Sequence, residues 1–164
     1  MQVATQNRIL DLATGAGEAL WWFDGLVALK VTGEQSSRLF SLIEMLRPAG
    51  GVVPRHVHHR EDELFYLIDG ELEARVGDRT IQAKAGTTVF APCEIPHELR
   101  VGPHRPVHCL VLYTPAGFEG FIRDTSMRAR ELTLPPPPKA PPTPEQMRVL
   151  GQMMRDRYGC EWAD

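Results

Sequence analysis

Three histidines and one glutamate are the residues whose types and spacing best fit shared chemistry. His56 and His58 lie two residues apart, Glu63 follows them, and His97 stands in a separate segment downstream. In an extended strand, residues two apart point to the same face, so the imidazoles of His56 and His58 lie side by side. Imidazole nitrogens and carboxylate oxygens are ligands of divalent transition metals. The pattern predicts one metal ion bound by His56, His58, Glu63 and His97.

The predicted ligand set also leaves room on the metal for a further ligand. Three nitrogens and one oxygen leave one or two positions open for water, substrate or dioxygen. Iron, nickel, manganese, copper, cobalt and zinc all accept such ligands. The prediction therefore names one divalent transition metal as the cofactor and a small molecule as the substrate or ligand.

Neighbouring residues compete with this assignment. His59 competes with His58, but it points to the opposite face if the strand is regular. His108 alternates with leucines, so it faces either the cavity or the outside, and we include it among the pocket-lining candidates. Cys93 is either a small buried residue or faces the site. Glu61 is either solvated or orients a ligand histidine.

Short strands must position these side chains. Residues 71–76 alternate between apolar and charged types, which is typical of an antiparallel strand with one buried face. About eight to ten such strands follow one another, with turn signals between them, and this spacing predicts an all-β sandwich or barrel. The chain is divided into a barrel with N-terminal strands at 1–134, a proline-rich spacer at 135–144 and a C-terminal helix at 145–164. The helix is predicted to pack on the barrel or on a partner subunit.

Composition restricts the class of protein. Hydrophobic residues make up 43% of the 164 residues and charged residues 24%, which is typical of a globular chain. A net charge of -3 with scattered basic residues argues against nucleic-acid binding. No apolar stretch has the roughly 20 residues needed to span a membrane. The cysteines Cys93, Cys109 and Cys160 are few and far apart, which fits the reducing cytoplasm.

The histidine segment resembles the first sequence motif of the cupin superfamily, G-x5-H-x-H-x(3,4)-E-x6-G. Gly50, His56, His58, Glu63 and Gly70 occupy its defined positions.

The second cupin motif, G-x5-P-x-G-x2-H-x3-N, is matched by Gly86, Pro92 and His97. The chain departs from it at Glu94 and Val101, which stand at a turn and a strand end. The flanking segments, with a more distant match, resemble small single-domain cupins described as quercetin 2,3-dioxygenase-like.

The resemblance implies a double-stranded β-helix, also called a cupin or jelly-roll barrel, that is often a homodimer and holds the metal inside. It implies that Glu63 is both a ligand and a base toward a substrate hydroxyl, a role that requires a carboxylate pKa raised by burial. By parity along the strand, Phe65 and Leu67 share the inward face with Glu63 and line the pocket.

The resemblance implies a metal-dependent oxygenase acting on a small enolic or aromatic substrate. A non-catalytic small-molecule-binding or sensing barrel is one alternative. A metal-dependent isomerase or lyase that works by proton transfer is another. A barrel of the same shape with a polar cluster and no metal is a third.

Overall fold

The computed structural model describes residues 9–137, 140 and 142–163, which form two antiparallel sheets and two helices. In sheet order, the seven strands of sheet A are β11 (Met127–Arg128), β1 (Glu18–Trp22), β2 (Gly25–Val31), β3 (Ser41–Arg47), β10 (Val107–Thr114), β5 (Asp62–Asp69) and β8 (Thr88–Ala91). The five strands of sheet B are β12 (Cys160–Trp162), β4 (Val52–His58), β9 (His97–Val101), β6 (Glu71–Val76) and β7 (Arg79–Lys84). The helices are α1 (Glu119–Thr125) and α2 (Pro144–Tyr158).

The two sheets bury their inward side chains against each other. In β6, Leu72 and Ala74 are buried, while the intervening Glu73 is partly exposed, as period-2 alternation requires. In β5 and β10 the inward residues, such as Leu67 and Val111, are completely buried. The predicted all-β double-stranded β-helix with a C-terminal helix is confirmed.

The residues at the two ends of α2 explain where the helix begins and ends. Thr143 caps α2 through its side chain, which accepts a hydrogen bond from the backbone N–H of Gln146, and the Gln146 side chain accepts one from the Thr143 backbone. Gly159 ends the helix in the left-handed conformation, with φ of 62°. Met154 on the inward side of α2 is buried in the core.

Contrary to the sequence prediction, the chain does not end with this helix but continues into one more strand. β12 pairs antiparallel with β4 and becomes the edge of sheet B. The backbone N–H of Ala163 extends this pairing by donating to the carbonyl of Arg55. The C-terminal segment is therefore joined to the strand that carries His56 and His58.

The predicted division into barrel, spacer and helix stays a prediction. Residues 138, 139 and 141 of the proposed spacer lie outside the described residues, as do residues 1–8 and 164. Among the helices that the structure describes, none has both the length and the apolar character needed to cross a membrane.

Candidate metal centre

The four predicted ligand residues converge in the interior between the two sheets. His56 and His58 project from β4 and His97 projects from β9, where it is the register partner of His56. Glu63 approaches from β5 in the opposite sheet. One ligand atom from each of the four side chains lies within 4.8 Å of all the others, and all four residues are buried. Residues remote along the chain therefore form one centre that could hold a metal ion.

A local irregularity in β4 helps to aim the histidines. The register between β4 and β9 shifts by one residue between Val53 and His56. Such a bulge bends a strand and redirects its side chains. Pro54 lies within the shifted stretch, where its lack of an N–H leaves no ladder hydrogen bond to satisfy. His56 and His58 consequently face inward although β4 begins with an exposed valine.

The imidazole nitrogens divide into an outer and an inner set. The Nδ1 atom of His56 lies 2.7 Å from the carbonyl oxygen of Pro54, and that of His97 lies 3.1 Å from the carbonyl oxygen of Ile95. A carbonyl oxygen only accepts hydrogen bonds, so each Nδ1 carries the proton. In the neutral imidazoles the Nε2 atoms then keep their lone pairs, which is the tautomer that a metal requires.

The inner nitrogens surround one carboxylate oxygen. Glu63 Oε2 lies 2.8 Å from the Nε2 atom of His97, 3.4 Å from that of His58 and 3.9 Å from that of His56. A metal with bonds of about 2.1 Å holds neighbouring ligand atoms roughly 3–4 Å apart. The spacing of these four atoms therefore fits a shared transition-metal ion.

His58 supplies an independent sign that a ligand is expected. Its Nε2 atom is fully buried and has no hydrogen-bond partner among the described residues. An unsatisfied buried polar atom costs about 1–3 kcal/mol. Coordination to a cation would satisfy it, so the residues present fit a metal ion.

The pKa of Glu63 is shifted in the direction opposite to the expectation from the sequence. Burial alone would raise the pKa of this carboxyl, but contacts with His56 and His97 and the nearby imidazole charges lower it well below the usual value. The predicted upward shift of the Glu63 pKa is therefore wrong. Burial lowers the pKa of His56, which favours its neutral form. For His97, burial acts in the same direction, but the hydrogen bond to Glu63 outweighs it and raises the pKa.

Aromatic rings form one wall of the centre. The ring of Phe118 lies 4.4 Å from that of His58, and Tyr113 lies 5.7 Å from the same imidazole, centroid to centroid. The ring of Phe65 lies 6.2 Å from that of His97, centroid to centroid. The structure places Phe65 and Leu67 on the inward face, as parity predicts, and their role as pocket-lining residues stays a prediction.

Two of these aromatic neighbours were not predicted from the sequence. Tyr113 is the cross-strand partner of Glu63, and burial together with that carboxylate raises its pKa well above the usual value. Phe118 lies between β10 and α1, outside both sequence motifs. Because apolar residues stand at both parities of β10, alternation along the strand alone did not show that Tyr113 points inward.

The added strand β12 covers the edge of the centre. Its register places Cys160 opposite His58 and Trp162 opposite His56. Opposite residues in an antiparallel pair share one face, so both side chains lie on the ligand side of β4. Cys160 is completely buried, and burial raises the pKa of its thiol. The C-terminal segment thus helps to exclude water from His56 and His58.

His108 does not line the pocket, contrary to the sequence prediction. The inward residues of β10 are its odd-numbered ones, and His108 points to the outer face of sheet A. There its Nε2 atom lies 2.7 Å from the Glu44 carboxylate. A neighbouring carboxylate on the outer face therefore satisfies this imidazole.

His59 and Cys93 also lie outside the ligand cluster. His59 is exposed, with Nδ1 2.7 Å from Glu94 and Nε2 3.1 Å from Glu161. Cys93 is partly exposed in the turn before β9 and is not part of the described group of ligand atoms.

A surface cavity of about 410 Å³ lies elsewhere on the molecule. Strands β6, β7 and β9 line it with charged side chains that include Glu71, Lys84 and Arg100. It shares no residue with the ligand cluster, so the cavity and the metal centre are separate sites.

Known proteins resemble this chain mainly over its central part. The sequence profile described as a cupin domain matches residues 42–113, which include all four ligand residues. An uncharacterised protein of Methanocaldococcus jannaschii is 27% identical over 59 residues, which are 36% of this chain and 47% of that protein. The matched part therefore spans about half the length of this curated relative.

Solved structures share the fold at low sequence identity. A predicted oxalate decarboxylase of Thermotoga maritima is 18% identical, with a TM-score of 0.57 over 66% of this chain and 99% of that chain. The cupin domain of Cnp3 from Schizosaccharomyces pombe is 15% identical, with a TM-score of 0.58 over 71% of this chain and 82% of that chain. The profile match identifies residues 42–113 as a cupin domain, and the solved structures show that the paired sheets share their fold.

Proposed function

We propose that this cupin is a metal-dependent oxygenase of the quercetinase-like class, acting on a small enolic or aromatic substrate. His56, His58, Glu63 and His97 would hold one divalent transition metal. The observation that carries the proposal is the convergence of three imidazoles and one carboxylate within 4.8 Å in a buried position. The outer Nδ1 atoms of the histidines are already bonded to protein oxygens, so the ligands are oriented in advance.

When bound, such a metal supplies Lewis acidity toward a substrate oxygen and, if it is redox-active, reactivity toward dioxygen. The chain contributes a carboxylate that stays ionised at neutral pH, because its histidine contacts lower the pKa of Glu63. The ionised form is the one that both a metal ligand and a proton acceptor need. Glu63 would take the proton of a substrate hydroxyl, as a weaker base than the raised pKa expected from the resemblance would have made it.

The surroundings of the centre support a planar, largely apolar substrate. Phe118 and Tyr113 lie beside His58, and Phe65 lies beside His97. Aromatic walls favour flat rings and conjugated enols through stacked and edge-on contacts. Low solvent access also strengthens electrostatic interactions inside the site.

The decisive experiment combines elemental analysis with oxygen uptake. Purified protein should contain a stoichiometric transition metal, and the His56→Ala variant should lose it while keeping the far-ultraviolet circular dichroism of a folded sheet protein. The metallated protein should consume oxygen in step with the loss of a flavonol or a β-diketone. If a broad panel of such substrates causes no oxygen uptake, the oxygenase proposal fails.

Two further outcomes would assign the site to a different class. Turnover that continues without oxygen would indicate an isomerase or lyase working by proton transfer through Glu63. Saturable ligand binding without turnover, abolished in the His56→Ala variant, would indicate a binding or sensing protein.

We also propose that the protein acts in the cytoplasm as a homodimer. All three cysteines are free, and Cys109 and Cys160 are buried, which suits a reducing compartment. Mass measurement in solution tests the oligomeric state independently of any activity.

A further inference from the structure

Glu94 adopts a backbone conformation that residues with a side chain rarely take. Its φ of 67° lies in the left-handed region, where glycine is favoured. It stands in the turn between β8 and β9, at the position where the second cupin motif has glycine. The backbone N–H of Glu94 donates to the carbonyl of His58 at 2.8 Å, so this turn lies against a strand that carries ligands. Strain of this kind points to a role for the side chain.

The Glu94 side chain forms one half of a bridge through the imidazole of His59. The Nδ1 atom of His59 lies 2.7 Å from the Glu94 carboxylate, and the Nε2 atom of the same ring lies 3.1 Å from the carboxylate of Glu161. Glu94 precedes the ligand His97 by three residues, and Glu161 is the central residue of β12. We call Glu94, His59 and Glu161 the latch, because they join β12 to the turn before β9.

The latch is one of the few attachments of β12. This strand is three residues long and, among the described strands, pairs with β4 alone, whereas β5 and β9 are each paired on both sides. Two backbone hydrogen bonds flank the pairing, from His59 to the carbonyl of Gly159 at 2.7 Å and from Ala163 to the carbonyl of Arg55 at 3.0 Å. Segments with few contacts open at a lower free energy than the core. The latch therefore contributes a large share of what holds β12 in place.

Gly159 is placed to act as a hinge for β12. It connects α2 to β12 and has a φ of 62°. The helix α2 is anchored, since Met154 is buried in the core and the hydroxyl of Tyr158 donates to Asp124 at 2.6 Å. Glycine adopts many backbone dihedrals without steric cost. A rotation at Gly159 would therefore move β12 and leave α2 on the core.

The metal centre is closed when β12 is in place. All four ligand residues are at most 6% exposed. An ion in solution needs an entry path, so part of the chain must move before the ion reaches these side chains. Cys160 lies opposite His58 and Trp162 lies opposite His56, and strand pairing directs both side chains to the ligand side of β4. Opening of β12 would expose this side of both imidazoles.

We propose that the latch holds β12 closed and that opening of β12 admits the metal ion to His56 and His58. Between 35% and 62% of each latch side chain is exposed. Exposed ion pairs contribute little stability, which suits a contact that must break and form again. Glu94 acts here through β12 and does not touch the metal. The proposal rests on the metal centre of the proposed function and is independent of the oxygenase reaction.

Hydrogen exchange of the metal-free protein, measured by nuclear magnetic resonance, tests the latch directly. Glu94→Gly removes the carboxylate, and glycine takes the φ of 67° without strain, so the barrel should remain folded. The N–H groups of His59 and Ala163 should exchange about two- to five-fold faster than in the wild type, while those of β6 keep their rates.

Glu145→Ala is the matched control for the exchange measurement. It breaks an exposed ion pair with Arg148 on α2, outside the latch, and should leave the exchange of the His59 and Ala163 N–H groups unchanged. Wild-type exchange rates in Glu94→Gly would overturn the proposal.

Cobalt(II) binding at a fixed pH, followed by visible absorption, tests the entry route. In Glu94→Gly the rate constants for association and for release to excess chelator should both rise by about two- to five-fold. The dissociation constant should not change, because the same opening step precedes entry and release. Faster release with unchanged association would show that Glu94 acts on the bound metal, which would overturn the proposal. If cobalt binds to no variant, the metal centre itself fails; if it binds to the wild type and Glu94→Gly at equal rates, only the latch fails.

A reversible cross-link tests whether β12 has to open. Val57 and Glu161 are register partners in the pairing of β4 with β12, and a disulfide can span such a pair. In the Val57→Cys, Glu161→Cys variant, oxidation should slow cobalt entry and release by about ten-fold or more, and reduction should restore the fast rates. Equal rates in the oxidised and reduced forms would show that cobalt enters elsewhere and would overturn the proposal.

Discussion

The imidazole of His58 and the carboxylate of Glu61 face each other in the interior, with Nδ1 and Oε2 3.4 Å apart. Both side chains are almost completely buried. This contact lies on the side of the His58 ring away from Glu63. A carboxylate in this position orients a ligand imidazole and increases its basicity.

We expect Glu61→Gln to weaken metal binding by about 10- to 100-fold without abolishing it, because the four ligands remain in place. Metal titration by isothermal calorimetry measures the change. Glu73→Gln makes the same substitution on the outer face of sheet B, outside the ligand cluster, and should leave the affinity unchanged. Equal affinities for the two variants would show that Glu61 does not position His58.

Two adjacent histidines should respond differently to removal. His58→Ala should lose the bound metal, because one of four ligands is gone and the buried carboxylate of Glu63 keeps one neighbour fewer. His59→Ala should retain the metal, since the His59 ring contacts Glu94 and Glu161 outside the cluster. Elemental analysis of both purified variants measures the outcome. Metal loss from His59→Ala but not from His58→Ala would show that the metal centre lies on the face of β4 opposite to the predicted one.

The ligand cluster could be predicted because its information is local. His56, His58 and Glu63 lie within one short segment, and strand parity alone brings the two histidines to one face. The outward position of His108 could not be predicted in the same way. Apolar residues flank it at both parities, since Leu110 faces outward and Cys109 faces inward, so alternation did not show which side was the core.

The remaining features of the site depend on contacts between distant residues. Tyr113 reaches the centre because the register pairs it with Glu63. Strand β12 is three residues long, too short for a periodic pattern, and it exists because β4 offers an edge to pair with. The pKa of Glu63 is lowered because its histidine contacts outweigh burial. Each effect depends on geometry that spacing along the chain does not specify.

The carboxylate of Glu44 should contribute pH-dependent stability. Burial alone raises its pKa, but the bonds from Gly15, Lys30 and His108 lower it below its ordinary value of 4.5. A lowered pKa in the folded state adds stability that is present above pH 4.5 and is lost as pH falls through the folded-state value. Glu44→Gln should therefore lower the free energy of unfolding by about 2 kcal/mol at neutral pH.

That difference between Glu44→Gln and the wild type should shrink as pH falls below 4.5, because the unfolded-state carboxyl becomes protonated there and the folded-state carboxylate, with its lower pKa, becomes protonated at still lower pH. Urea unfolding at a series of pH values measures it. Glu131→Gln, at an exposed position, should stay within about 0.5 kcal/mol of the wild type throughout. A difference for Glu44→Gln that is independent of pH would show that its charge does not stabilise the fold.

Packing of the C-terminal helix should be visible in its stability. Met154 is 1% exposed, while Tyr158 on the same helix contacts Phe121 at 5.6 Å between ring centroids. Met154→Ala removes a buried side chain and leaves a cavity, so we expect a loss of about 2–5 kcal/mol in the free energy of unfolding. Val149→Ala, in the same helix but half exposed, should change it by no more than about 0.5 kcal/mol.

Denaturant unfolding of the two alanine variants, followed by circular dichroism, measures both changes. The comparison separates packing from helix propensity, because both variants place alanine in α2 and alanine favours a helix at either position. If Met154→Ala costs no more than Val149→Ala, then α2 does not pack on the core. In that case α2 would not help to hold β12 in place over His56 and His58.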